Sequence, residues 1–319
     1  MSNDISIKDK VFNTSVLTSP VTDMYIGVKD IKVGLIDCTE NPYKSIVDMA
    51  LATWGTTSLK RWEILSPEER FYVVSRVFKR KALPLGLESL IFLFSIENVS
   101  RSSFDQIART RIGATISSLG WNNIHTQTGF RIPNEIAKKR QNDFDFLYEL
   151  EQCLSHIKDL YHRMVEDGIS WQSAREILPL GLLHQFYFSI TYMALQNFCS
   201  RRLCFSEKED TVAVSWLMRE RVKERFPFIA SHLKPACDAS GRCGYHSGDS
   251  LPEHMGSLFK PCGRNKCTVN NLNIEFDIPS TDVNDLISQL GISIPKSGED
   301  IPVSDFDKLS AIDKKIFNE

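Results

Sequence analysis

No stretch of this 319-residue sequence approaches the roughly 18 consecutive apolar residues that a membrane-spanning helix needs. Its first residues, Met-Ser-Asn-Asp-Ile-Ser-Ile-Lys, have no basic start followed by an apolar stretch, so a secretion signal is not expected. Positive charge is not in surplus: 38 Lys and Arg stand against 40 Asp and Glu, which removes the basic footprint of a nucleic-acid-binding surface. There is no P-loop. The glycines at Gly241 and Gly244 lack the strand-to-helix setting that a dinucleotide fingerprint requires, and no internal repeat is found. What remains is an ordinary globular composition, 42% hydrophobic and 24% charged. The expectation is a cytoplasmic protein with no membrane partner and no direct nucleic-acid partner.

The element that organises the chain runs from Ser89 to Trp121. Leu90–Ile96 is a nearly unbroken apolar run, short enough to be a strand covered on both faces. It breaks at Glu97-Asn98, and a helix start follows. Ser103 and Gln106 have capping-box spacing, and Gly113 suits the left-handed end of a helix. Arg109 and Arg111 therefore fall in the last turn of a helix anchored on a buried strand. On this stretch alone the simpler reading is a pair of solvated charges complementing the helix dipole. The other is a pair of guanidinium groups held for a planar or phosphate-bearing ligand.

Upstream, Ile31–Asp37 reads as a strand, Asn41-Pro42 opens a helix towards Gly55, and Ser66-Pro67-Glu68-Glu69 opens another with a capping box. Downstream, Asp143–Asp167 is amphipathic, with Phe146, Leu150, Cys153, Ile157, Leu160 and Met164 on one side. Ser170–Leu178 is a short helix stopped by Pro179. Leu182–Leu203 is apolar nearly all round and predicts the most buried helix of the fold. Asp210–Phe226 follows, with a charged face from Arg219 to Arg225. Few strands and a long C-terminal run of helices indicate an α+β fold.

Three segments together carry a family resemblance. Gln106-x-x-Arg109-x-Arg111 follows Ile-Glu-Asn-Val-Ser-Arg; Ala174-Arg175-Glu176-Ile177-Leu178-Pro179 comes next; Leu195-Gln196-Asn197-Phe198 then leads to Arg202. In order and spacing these resemble the flavin-dependent thymidylate synthases (ThyX), over roughly residues 31–230. The family carries Arg-His-Arg preceded by Gln, then Ser and Arg further on. Here Thr110 stands for the His, Leu119 for the Ser and Trp121 for the Arg. Glu88 remains where the family has a Glu flanked by two histidines, now Leu83 and Ser89. Thr191 and Met193 replace an Asn and an Arg, and Lys208 and Asp210 a Gln and a Glu.

The resemblance implies a ThyX-like mixed sheet and a homotetramer with shared active sites. It implies C5 methylation of a pyrimidine nucleotide, dUMP or a related one, with FAD as cofactor, reduced folate and NADPH as co-substrates, and no cysteine nucleophile. Carried over by position, Gln106, Arg175 and Arg202, with Ser118 beside the altered motif serine, hold the nucleotide. Arg109, Thr110, Arg111, Asn197 and Glu88 hold FAD. No catalytic residue is assigned. The alternative is a non-catalytic nucleotide-binding protein that keeps the fold.

Eight cysteines without a secretion signal suit reduced thiols or a metal site. Cys237, Cys243, Cys262 and Cys267 lie with His246 and His254 in a segment rich in glycine and proline, and four thiolates would make a structural zinc site. Reduced thiols in an ordered loop are an equal reading. Cys38, Cys153, Cys199 and Cys204 read as packing residues, His125 as a loop histidine, and His184 as a core or interface histidine on the apolar helix. The organisation expected is an N-terminal extension (1–30), a ThyX-like domain (31–235), the Cys/His-rich segment (236–267) and a C-terminal extension (268–319). That extension has one strand-like piece, one short helix and no chemistry of its own.

Overall fold

The computed structural model describes residues 23–26, 28, 31–53, 62–79, 86–118, 129–133, 136, 143–204, 207–236 and 303–319. Its strands are β1 (Asp23–Ile26), β2 (Lys32–Cys38), β3 (Ile91–Ser100), β4 (Ala114–Ser118), β5 (Gly129–Ile132) and β6 (Leu183–Thr191). The helices are α1 (Pro42–Thr53), α2 (Pro67–Lys79), α3 (Arg101–Ile107), α4 (Phe144–Glu166), α5 (Trp171–Ala174), α6 (Tyr192–Arg202), α7 (Glu209–Arg225), α8 (Pro227–Ser231) and α9 (Ala311–Asn318). Short 3-10 turns stand at Trp62–Ile64, Arg175–Ile177 and Val303–Lys308.

The α+β class is as expected. Four antiparallel strands run in the order β2-β3-β6-β4, and β1 pairs with β5 in a separate parallel ribbon. Phe92, Phe94 and Ile96 of β3 stand opposite Ile190, Phe188 and Phe186 of β6, and all six point into the core. Alternation with period two puts their neighbours on the other face. There Ile91 and Tyr187 are about half exposed. The central strand is thus covered on one face of this chain, not on both.

Several helix starts follow from local chemistry. The Ser66–Glu69 capping box forms reciprocally: Glu69 N donates to Ser66 Oγ at 3.3 Å, and Ser66 N to Glu69 Oε2 at 2.8 Å. Asn41 Oδ1 accepts from Lys44 N at 2.9 Å, and Asp143 Oδ1 from Phe146 N at 3.1 Å.

The long buried helix expected at Leu182–Leu203 is a strand followed by a helix. Phe186, Phe188 and Ile190 alternate with Gln185, Tyr187 and Ser189, which is a strand period, and the Thr191 hydroxyl then caps α6. The most buried helix is α7, in which Val212, Val214, Trp216, Met218 and Val222 are enclosed. Arg219, placed by the sequence on a charged face, is only 1% exposed. Its Nε donates to Leu233 O at 3.1 Å, and its Nη1 to Glu220 Oε1 at 2.6 Å. On α4 the buried stripe passes through Leu154 and Tyr161, so Cys153 and Leu160 face outwards.

The end of the sequence departs most from expectation. Residues 303–319 are not an appendage: Phe306, Leu309 and Phe317 belong to the main core. Phe317 stacks on Tyr43 at 4.4 Å. The buried Asp313 accepts from the Tyr43 hydroxyl at 2.5 Å, from Phe228 N at 3.1 Å and from the Ser310 hydroxyl at 2.8 Å. Burial pushes its carboxyl up to about 6, although these donors favour the anion.

Candidate functional site

The sheet delivers two groups of residues, one at each end. At the exit of β3 the register shifts between Ile96 and Val99, and Asn98 takes a left-handed φ of 62°. Its carbonyl is held by Arg131, whose Nε donates at 3.0 Å and whose Nη2 also reaches it. Ser100 then caps α3, its Oγ accepting from Ser103 N at 3.3 Å. The cap is therefore Ser100, not Ser103, because Ser103 is itself fully buried inside the first turn. Ser100 in turn donates from its hydroxyl to the buried Asp210 Oδ2 at 2.6 Å and from its backbone at 3.2 Å. Lys208 Nζ donates to Ser100 Oγ at 2.6 Å and to Ser102 Oγ, and lies 3.6 Å from Asp210 Oδ1. The start of α7 is thus pinned to the start of α3.

The other end of α3 carries the nucleotide candidates. Arg202, at the end of α6, donates from Nη2 to the Gln106 carbonyl at 3.3 Å and pairs through Nη1 with Glu207 Oε2 at 2.5 Å. The Gln106 side-chain oxygen accepts from the Thr211 hydroxyl at 3.2 Å. Two residues 96 positions apart are brought into direct contact here.

The flavin candidates lie just beyond. Helix α3 ends at Ile107, so Arg109 and Arg111 stand in the turn after it and not in its last turn. Gly113 has the left-handed φ of 69° but opens β4 instead of closing a helix. A Cβ there would meet Thr191 Oγ1 at 2.6 Å. The Gly113 carbonyl accepts from Thr191 N at 2.8 Å, and Tyr192 N donates to Leu90 O at 2.8 Å. These bonds gather three pieces at one end of the sheet: the Arg109–Gly113 turn, the turn containing the exposed Glu88, and the first turn of α6. Asn197 is exposed further along α6, and Thr110 is half-buried. Arg109 and Arg111 are exposed and make no side-chain hydrogen bond or ion pair among the described residues.

Ser118 and Arg175 are not drawn into these groups. Ser118 pairs with Phe186 towards the opposite end of β4, and its side chain is exposed. Arg175 lies 5.4 Å over the Trp171 ring, beside the smaller core cluster built on Phe130, Tyr161 and Leu182. Its segment nonetheless reaches α3 through backbone, since Leu180 O and Leu182 O accept from Ser102 N and Arg101 N.

His184 is buried on β6, 4.3 Å from the Phe104 ring; burial, with the Arg101 charge adding to it, pushes its imidazole down to about 4. Burial pushes the Cys199 thiol up to about 12, so this cysteine packs and does not attack. Cys153 is exposed and plays no packing part. His125 and the four cysteines Cys237, Cys243, Cys262 and Cys267 lie outside the described residues, and no metal cluster occurs among the described residues. Arg131, Glu207 and Thr211 carry no motif, which is why sequence reasoning passed over them; only pairing across the fold reveals their roles.

The model of the family described as thymidylate synthase complementing protein matches residues 34–228. The chain belongs to this family. A flavin-dependent thymidylate synthase from Pyrococcus horikoshii is 30% identical over 226 residues, covering 67% of this chain and 89% of that protein. One from Saccharolobus solfataricus is 28% identical over 162 residues, covering 47% of this chain and 56% of that protein. A crystal structure of a UMP/dUMP methylase from Streptomyces cacaoi, bound with 5-Br dUMP, superposes with a TM-score of 0.55 at 14% identity. It covers 66% of this chain and 96% of the methylase, a likeness of fold. The chain is thus a divergent, methyltransferase-like member of the thymidylate synthase complementing family, and the two relatives just described are flavin-dependent enzymes by name. The residues present are compatible with a flavin: Arg109 and Arg111 are exposed and, among the described residues, their guanidinium donors are unspent, which is the chemistry that phosphate oxygens need.

Proposed function

We propose that this family member transfers a one-carbon unit to C5 of a pyrimidine nucleotide, dUMP or a related nucleotide, using FAD and a reduced folate. The reading rests above all on one observation. Arg202 and Gln106, the family's nucleotide-contacting positions, are joined to each other, while Arg109 and Arg111 beside them keep their donors unspent. Bound flavin would supply the hydride once reduced, with NADPH as the reductant. The chain's own residues bind and orient: Arg109, Arg111 and Asn197 the flavin; Gln106 and Arg202 the nucleotide, a group that Arg175 does not join within this chain.

A cytoplasmic homotetramer belongs to the same reading. Its neighbouring subunits would cover the open sheet face around Ile91 and Tyr187. A structural zinc on Cys237, Cys243, Cys262 and Cys267 is a separate proposal: metal analysis should find about one zinc per chain, and metal-free protein with unchanged melting would refute it.

The test is direct. Purified protein should be yellow, should bind dUMP, and should release tritium placed at C5 of dUMP when given reduced folate and NADPH, because C5 cannot take a methyl group and keep its hydrogen. Arg109→Ala or Arg111→Ala should strip flavin, whereas Arg202→Ala should keep flavin and weaken dUMP binding about tenfold or more. Thr110, Leu119 and Trp121 in place of motif residues favour a second reading, nucleotide binding without catalysis. Colourless protein that binds dUMP and releases no tritium would select it.

A further inference from the structure

Gln106 is held at both ends. Its carbonyl takes a hydrogen bond from Arg202 Nη2 at 3.3 Å, and its side-chain oxygen takes one from the Thr211 hydroxyl at 3.2 Å. A glutamine side chain has three rotatable bonds, and a ligand that recruits a free one must pay for freezing them. Thr211 removes that cost in advance. It is fully buried in the first turn of α7, and its branched side chain has few rotamers. The turn that carries it is pinned to α3 by the hydrogen bonds of Asp210 and Lys208 to Ser100 and Ser102. With its oxygen occupied, the half-buried Gln106 amide has its NH2 group left to offer, a donor suited to a ligand oxygen.

We propose that Thr211 is a positioning residue for the nucleotide: it presets the Gln106 amide so that its NH2 group faces an oxygen of the bound pyrimidine nucleotide. This rests on the proposed function, since it assigns that nucleotide to Gln106. Position 211 lies outside the three segments that carry the family resemblance. The contact crosses 105 positions of sequence and links a helix end to the most enclosed helix of the fold.

The experiment is a double-mutant cycle read by dUMP titration of the full-length, flavin-loaded protein. Thr211→Val keeps the shape and removes the hydroxyl; its dissociation constant for dUMP should rise about tenfold, and Thr211→Ser should restore wild-type affinity. In a Gln106→Ala background, Thr211→Val should add less than twofold, because nothing is left to position. A purely structural role would instead weaken binding equally in both backgrounds, with matching losses in thermal stability, and would overturn the proposal. Wild-type and Thr211→Val proteins binding dUMP alike would also overturn it while leaving the proposed function standing. Wild-type protein that binds neither dUMP nor UMP overturns the functional reading itself.

Discussion

Replacing Phe317 with alanine tests whether the last described segment is part of the core or only rests on it. The side chain is fully buried and meets four rings: Tyr43 stacked at 4.4 Å, Phe71 edge-on at 5.6 Å, Trp62 at 6.0 Å and Phe306 at 6.1 Å. Its carbonyl also accepts from Arg70 Nη1 at 2.5 Å, and Arg70 lies over Trp62 at 4.3 Å. Truncating a buried phenylalanine costs ~3–5 kcal/mol through lost transfer energy and the cavity left behind. The stacked pair places this site towards the upper half of that range. Against a total of ~5–15 kcal/mol for a typical domain, this is a large fraction of the margin. Urea unfolding followed by tryptophan fluorescence measures it, with Ile312→Ala as the control. Ile312 lies on the same helix but is 45% exposed, and its loss should matter by less than ~0.5 kcal/mol. If Phe317→Ala costs no more than Ile312→Ala, the segment does not complete the core and the packing argument fails.

Gly113→Ala should destabilise the protein by ~1–3 kcal/mol, since alanine would be strained at φ 69° and its Cβ would press on Thr191 Oγ1. The same change should lower flavin content, because Arg111 lies in that turn; unchanged melting and colour would count against it. Stability should also respond to acid in a defined way. The imidazoles of His184 and His232 are both pushed down to about 4 by burial, so the unfolded chain takes up protons first and their contribution is lost as the pH falls from about 6.5 to about 4. Asp313 acts in the opposite sense: with its carboxyl raised to about 6, its contribution is present below the ordinary 3.8 and is lost as the pH rises through about 6. Asp313→Asn should therefore steepen the rise of stability with pH between 4 and 6, measured by urea midpoints across that interval; a shallower rise would refute the assignment.

What was legible in the sequence was local. The Ser66–Glu69 box, the Asn41 cap and the strand in the apolar run Leu90–Ile96 each signal through residues a few positions apart and formed where expected, although the strand is covered on one face and not on both. Leu182–Leu203 misled because it splices two periods, two and 3.6, at Thr191, so its apolar residues seemed to cover every face of one helix. The candidate site divides in the same manner. Gln106, Arg202, Arg109 and Arg111 sit in recognisable motifs, and the fold places them together or side by side. Asp210 and Ser100 meet across 110 positions, and no window of sequence contains both. Asp313 offers no clue at all, since an aspartate on a short helix normally faces water.

The bond between Tyr43 and Asp313 spans 270 positions, which has a consequence for the order in which a ribosome makes this chain. Helices α1 and α2 and the turn at Trp62–Ile64 leave the exit tunnel early, carrying Tyr43, Trp62, Arg70 and Phe71, whose packing partner Phe317 has not yet been translated. Until that residue emerges, these rings face solvent or borrow temporary company. Nascent chains that stall before residue 303 would display an aromatic recess of the kind chaperones bind, so the recess closes only once residues 303–319 have left the ribosome.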